Sequence, residues 1–269
     1  IVPRFDSKFM SACLAGMEEV AREHGYVLLI TQSQESSHRE EENFTLLLNK
    51  RVDGILVSLT REESDLSCFR SYRDNQVPVV FFDRVPGQEG CTRFAIDNEG
   101  MAYEATRHLL EQGCRKLVHL TIPSYLDLYR DRVKGFERAI WETKDCRGEV
   151  IYLEELDLEY GRISAKKILE IGADGVFAAN DLAATGCLQE LRQRGCRIPE
   201  DVAIVGFNNE DLASTVCPNL SSVDYPGREA GQRAIHAILK IMEGGEESGT
   251  LTAMPSRLII RESSLRKPQ

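Results

Sequence analysis

The feature that most constrains this chain is a serial alternation of amphipathic helix and short, continuous apolar run. Strands buried on both faces read as unbroken apolar runs, and a helix between successive strands supplies the crossover that a parallel sheet requires. Phe9, Cys13, Leu14, Met17, Val20 and Ala21 recur at helical spacing behind Ser7, a residue type suited to an N-cap. His24-Gly25 ends that pattern, and Tyr26-Val27-Leu28-Leu29-Ile30 reads as the strand that follows. Phe44, Leu47 and Leu48 mark a second helix, the turn Asp53-Gly54 leads into Ile55-Leu56-Val57-Ser58, and Met101, Ala105, Leu109 and Leu110 repeat the arrangement before Leu117-Val118-His119-Leu120. The fold class predicted is α/β.

A partial internal repeat extends the prediction. Val52-Asp53-Gly54-Ile55-Leu56-Val57-Ser58 is similar to Ala173-Asp174-Gly175-Val176-Phe177-Ala178-Ala179, and each follows a Leu- and Ile-rich helix. The halves read as copies, which predicts two similar doubly wound parallel-sheet lobes with a ligand cleft between them. Ligands of open α/β sheets bind beyond the carboxyl ends of the strands. The polar residues there are Asp83-Arg84 after Val79–Phe82, Asn180-Asp181 after Val176–Ala179, and Asn208-Asn209 after Ala203–Phe207.

Composition removes several alternatives. With 33 Lys and Arg against 43 Asp and Glu, a net charge of −10 lacks the clustered cations that neutralise nucleic-acid phosphates. No apolar run approaches the roughly eighteen residues of a membrane span. The eight cysteines include no Cys-x-x-Cys pair, so zinc is not expected and free thiols in a reducing compartment are. The opening Ile-Val-Pro-Arg reads as a cut within an apolar strand. Gly-x-Gly-x-x-Gly, Gly-x₄-Gly-Lys-Ser/Thr and Gly-x-Ser-x-Gly motifs are all missing, so no cofactor is called. The five histidines fall in helices, a turn and a strand without nucleophile partners, and the acidic runs Glu40–Glu42 and Glu154–Glu155 read as solvated surface. What is left is a binder. Asp and Asn at strand ends suit sugar hydroxyls, and Arg132, in the first turn of a helix with apolar face Val133, Phe136, Ala139 and Ile140, offers a planar donor fork.

The ordered blocks Asp53-Gly54-Ile55-Leu56-Val57-Ser58, Pro78-Val79-Val80-Phe81-Phe82-Asp83-Arg84, Asp97-Asn98-Glu99-Gly100, Arg132-Val133-Lys134-Gly135-Phe136, Ala178-Ala179-Asn180-Asp181-Leu182-Ala183-Ala184-Thr185-Gly186 and Ile198-Pro199-Glu200-Asp201-Val202-Ala203-Ile204-Val205-Gly206-Phe207-Asn208-Asn209 resemble the LacI/GalR family across essentially the whole chain. The resemblance implies the effector-binding core of a bacterial transcriptional regulator, folded like a class I periplasmic binding protein, without the helix-turn-helix that reads operator DNA. It implies an N-terminal lobe of residues 1–95 plus 226–254 and a C-terminal lobe of 96–225 plus 255–269. It implies a small-molecule effector of sugar type, operator DNA contacted only through an upstream domain, a cytoplasmic homodimer and no membrane partner.

The resemblance also assigns ligand contacts. Arg132, Asn180 and Asp83, with its neighbour Arg84, occupy positions that family members use for the effector, and Asn208 stands where relatives often carry Asp. Tyr225 falls where Gln is frequent, and Leu156 stands near an aromatic platform that Phe9 or Tyr125 could supply instead. Two rival readings are a secreted sugar-binding protein of a transporter and an α/β sugar enzyme with Asp83 or Asp181 as base. The reading taken is a non-enzymatic sensor.

Overall fold

The computed structural model describes residues 1–60, 77–87, 90–124, 126–246 and 248–266; Cys68 and Tyr125 lie outside them. The chain divides into two compact units, Ile1–Ile96 with Ser124–Asp127 and Pro226–Pro255, and Asp97–Pro123 with Leu128–Tyr225 and Ser256–Gln269.

In the first unit, α1 (Lys8–Glu23) and α2 (Ser37–Asn49) precede β1 (Ile55–Val57), β2 (Val79–Phe82) and β3 (Thr92–Ile96). Ser7 caps α1 by accepting the Met10 N–H, and Ser36 caps α2. In the second unit the order is α3 (Asn98–Glu111), β4 (Lys116–Thr121), α4 (Asp127–Trp141), β5 (Arg147–Tyr152), α5 (Leu158–Ile171), β6 (Gly175–Ala178), α6 (Asp181–Gln193), β7 (Ala203–Asn208), a 3₁₀ turn (Asp211–Ser214) and β8 (Ser221–Asp224). The chain then returns to the first unit as α7 (Gly227–Met242) and β9 (Leu251–Met254), and ends in the second with β10 (Arg257–Ile259). The first sheet has order β1-β2-β3-β9 with all pairs parallel; the second has order β10-β8-β7-β6-β4-β5, antiparallel only at β10.

Tyr26–Ile30 does not form the predicted strand. Among the described residues a single bridge joins Val2 to Gln32, with the Val2 N–H on Thr31 O (3.0 Å) and the Ser33 N–H on Val2 O (3.0 Å). On the other side the Ile1 amine donates to Leu56 O at 2.8 Å and the Ser58 N–H to Ile1 O at 3.0 Å. A strand is defined by a hydrogen-bonded neighbour about 4.8 Å away. Beside Tyr26–Ile30 there is instead a cavity of about 460 Å³, bounded by Leu14, Met17, Ile55 and Ile238 among others. Val27, Leu29 and Ile30 therefore stay exposed.

The second unit packs more completely. Val118, Leu120, Val176, Ala178 and Ile204 of the sheet meet Ala165, Ile168, Ala184, Cys187 and Leu188 of α5 and α6 in one buried cluster. On these two helices, Gly161 and Gly186 replace side chains with backbone contact: a β-carbon at Gly186 would lie 2.1 Å from Leu158 O, and one at Gly161 2.3 Å from Ala183 O. The opposite side of the sheet carries a ring row in which His119 stacks on Phe177 (4.6 Å between centroids) and Phe136 (5.5 Å), and Phe177 meets Phe207 at a tilt (6.3 Å).

His119 makes the stability of this row depend on pH. Its Nδ1 lies 3.0 Å from Phe177 O, which accepts only, so the proton is placed on Nδ1. Burial lowers the imidazole pKa from 6.5 to about 3. The unfolded chain thus takes up a proton below about pH 6.5 that the folded chain refuses until about pH 3, so this contribution is complete above 6.5 and is lost as pH falls. We expect a decline of about 2 kcal/mol over the first two units below 6.5, read from urea midpoints. His119→Leu should flatten that limb; an equal slope in both proteins would assign it to other groups.

Candidate ligand site

Helix α4 begins at Asp127, five residues before Arg132, with the Leu126 N–H on Ser124 Oγ at 3.1 Å. Arg132 therefore sits in the second turn of the helix, not the first as the spacing predicts, and it points inward: its relative exposure is 6%. Its Nε donates to Asn98 Oδ1 (3.0 Å) and its Nη1 to the Ala179 carbonyl (2.6 Å). The guanidinium lies 3.5 Å over the Phe207 ring, with Tyr129 at 5.7 Å. A cation on an aromatic face, anchored by two charge-assisted bonds, is fixed in plane and position. The fork is thereby held at the carboxyl ends of β6 and β7.

Asn208 closes β7 at the same sheet end, half-buried, in a left-handed conformation at φ 98°. Among the described residues its side-chain amide makes no hydrogen bond, so both a donor and an acceptor stand open there. The two ends of the Asn180 amide are both engaged: Oδ1 caps α6 by accepting the Ala183 N–H (2.9 Å), and Nδ2 donates to the Leu156 carbonyl (2.7 Å). Capping is the ordinary use of Asn at a helix start. Leu156 is half-buried against the core cluster and meets Asn180 through its backbone, and Tyr225, next to the end of β8, is 6% exposed. The structure thus brings Arg132 and Asn208 to one sheet end and gives Asn180 and Leu156 internal work.

In the first unit, Asp83 follows β2 at φ 61°, accepting from Ser58 Oγ at 3.2 Å. Arg84 beside it donates through Nη1 to both carboxylate oxygens of Glu35 (2.9 and 2.8 Å), with both side chains 18% exposed. Phe9 is buried in the first turn of α1.

Asp181 is placed badly for a catalytic base. Its carboxylate is fully buried, accepts the Ser222 O–H (2.6 Å) and the Glu210 N–H (2.7 Å), and is pushed by burial up to about 7. The seven described cysteines are free thiols, and burial pushes Cys187 up to about 12. Among the described residues no group of three or more His, Cys, Asp or Glu is placed to hold a metal ion, and no helix is long and apolar enough to cross a membrane.

Sequence reasoning missed Asn98 and Arg261. Asn98 lies within a quoted block, but only the fold shows that its Oδ1 orients Arg132. Arg261, which donates to Asn209 Oδ1 at 2.7 Å from 52 residues away, leaves no local signal.

The profile of the periplasmic binding protein-like domain matches residues 106–264. The ribose operon repressor of Halalkalibacterium halodurans is 26% identical over 266 residues, covering 98% of this chain and 78% of the repressor. The HTH-type transcriptional repressor CytR of Escherichia coli is 28% identical over 274 residues, covering 100% of this chain and 79% of CytR. Among solved structures, a periplasmic binding protein/LacI transcriptional regulator from Alkaliphilus metalliredigens complexed with D-xylulofuranose superposes with a TM-score of 0.85 at 27% identity, over 98% of this chain and 97% of that one. This chain belongs to the periplasmic binding protein-like domain family, in the form carried by LacI-family transcriptional regulators.

Proposed function

We propose that this chain is the effector-sensing core of a LacI-type regulator and binds a small sugar through Arg132 and Asn208. The observation that carries the reading is the inward, anchored guanidinium of Arg132 over the ring of Phe207, the residue before Asn208, whose amide stands open at the end of the same strand. A planar donor fork and an amide that both donates and accepts match the alternating donors and acceptors of a polyol. The relatives support a pentose: one is named as a ribose operon repressor and another is complexed with D-xylulofuranose. Arg84 and Asn180 are left out of the contact set, since Glu35 and the α6 cap engage them. The regulator is proposed to act on operator DNA as a cytoplasmic homodimer, the sugar changing its operator affinity. The bound sugar is expected to be released unchanged, because the sensor carries out no reaction on it.

Thermal unfolding with D-ribose, D-xylulose and a panel of hexoses and sugar acids tests the proposal. A ligand at a hundred times its Kd adds about 2.7 kcal/mol. Arg132→Ala should abolish that gain, while lowering the unliganded stability by about 1–3 kcal/mol because Asn98 Oδ1 and Ala179 O lose their donor. A sugar shift that survives in Arg132→Ala would sink the assignment.

A further inference from the structure

The turn that presents Asn208 is unusual: Asn208 and Asn209 take left-handed conformations in succession, at φ 98° and 52°. Side chains other than glycine enter this region at a cost and remain there only when the surroundings hold them. The holding groups converge on Asp181. Its Oδ2 accepts the Glu210 N–H at 2.7 Å, just past the turn, and its Oδ1 accepts the Ser222 O–H at 2.6 Å. The Ser222 oxygen in turn accepts the Asn209 N–H at 3.0 Å. The Phe207 N–H, just before the turn, also bonds to the carboxylate. Gly206 makes room for it, since a β-carbon there would lie 2.2 Å from Asp181 Oδ1. Asn209 is fastened further by Asp224 Oδ1 (2.9 Å) and Arg261 Nη2 (2.7 Å).

We infer that Asp181 is a positioning residue: its carboxylate, held as an acceptor of backbone and hydroxyl donors on both sides of the Asn208–Asn209 turn, sets the direction of the Asn208 amide and thereby the affinity for sugar. The effect on affinity rests on the proposed function; the effect on the turn does not. An ionised carboxylate accepts at both oxygens, whereas protonation turns one oxygen into a donor and loosens either the Glu210 or the Ser222 contact. Desolvation places this change at about pH 7. Charged and titratable groups nearby include Glu210 and Asp211 in the following turn, Asp224 at the end of β8, Arg261 on Asn209, Arg132 over the Phe207 ring, and Asp157 and Tyr160 at the start of α5. Of these, Glu210 raises the proton affinity of Asp181 through its charge.

The sign follows. When only the ionised form sets the turn, apparent affinity scales with the ionised fraction, so D-ribose binds about tenfold more weakly at pH 6 than at pH 8. The experiment measures D-ribose affinity by calorimetry from pH 6 to 8, together with hydrogen exchange of the Asn209 and Glu210 amides in the unliganded protein, normalised for intrinsic rates. The parent should lose affinity and amide protection together as pH falls. Asp181→Asn should show low, pH-independent values of both, and Ser222→Ala, which keeps the carboxylate, should lose Asn209 protection while retaining a pH response at Glu210. Protection of both amides that is flat from pH 6 to 8 in the parent, or retained in Asp181→Asn, overturns the inference. If D-ribose does not bind but protection follows pH through Asp181, the positioning role stands and the choice of sugar fails.

Discussion

Gly186→Val is expected to cost more than about 3 kcal/mol, at or beyond the upper end of ordinary overpacking. Any β-carbon at Gly186 falls 2.1 Å from the Leu158 carbonyl oxygen, and a backbone atom has no rotamer by which to move aside. Relief requires α5 and α6 to separate. Separation would expose Ala165, Ile168, Cys187 and Leu188, which are wholly buried between these helices and the sheet. Gly161→Val meets the mirrored obstacle, Ala183 O at 2.3 Å, and should cost a similar amount. Urea denaturation followed by circular dichroism measures both. Gln193→Ala, at an exposed position of the same helix, serves as the control and should stay within about 0.5 kcal/mol of the parent. A Gly186→Val protein as stable as the parent would mean that the two backbones do not touch.

The second large effect is expected at Phe177. It is fully buried, stacked on His119 and in ring contact with Phe207. Truncation to alanine should cost about 3–5 kcal/mol, which is a fall in the unfolding midpoint on the order of 10 °C for a chain of this size. It should also weaken sugar binding, because Phe207 carries the Arg132 guanidinium at 3.5 Å and loses its support. Phe177→Leu, which keeps most of the volume, should cost about 1 kcal/mol and leave binding nearly intact. Equal loss of binding in both variants would detach Arg132 from the ring row.

The ring row also shows why part of the site was legible and part was not. Arg132, set among Arg130, Asp131 and Lys134, reads on its own as a surface arginine and was singled out because the block around it resembles a family. Asn208 was visible because it ends an apolar run, where an α/β sheet places its ligands. Asn180 ends such a run equally well, yet its amide caps α6 and fastens Leu156. From sequence, a capping Asn and a ligand-binding Asn are the same letter at the same place. Arg84 was similarly ambiguous, since Glu35 lies 49 residues upstream and nothing local announces their pairing.

By itself the sequence determined the α/β class, most helix positions and the Ser7 cap, because helical periodicity, capping and apolar runs are local and each residue reports its own face. It marked Tyr26–Ile30 as strand-like on the same ground, and there tertiary structure decided otherwise. A strand exists only through a neighbour's hydrogen bonds, and among the described residues the one bridge here joins Val2 to Gln32, past the end of Tyr26–Ile30. Tertiary structure alone also decided which polar groups remain available. The Arg132 fork is aimed by Asn98, Ala179 and Phe207, and the Asn208 turn is held by Asp181, Ser222 and Arg261. Those partners are far apart in the chain, and hydrogen bonds of fixed length and angle select them only once the sheet has brought its strand ends together.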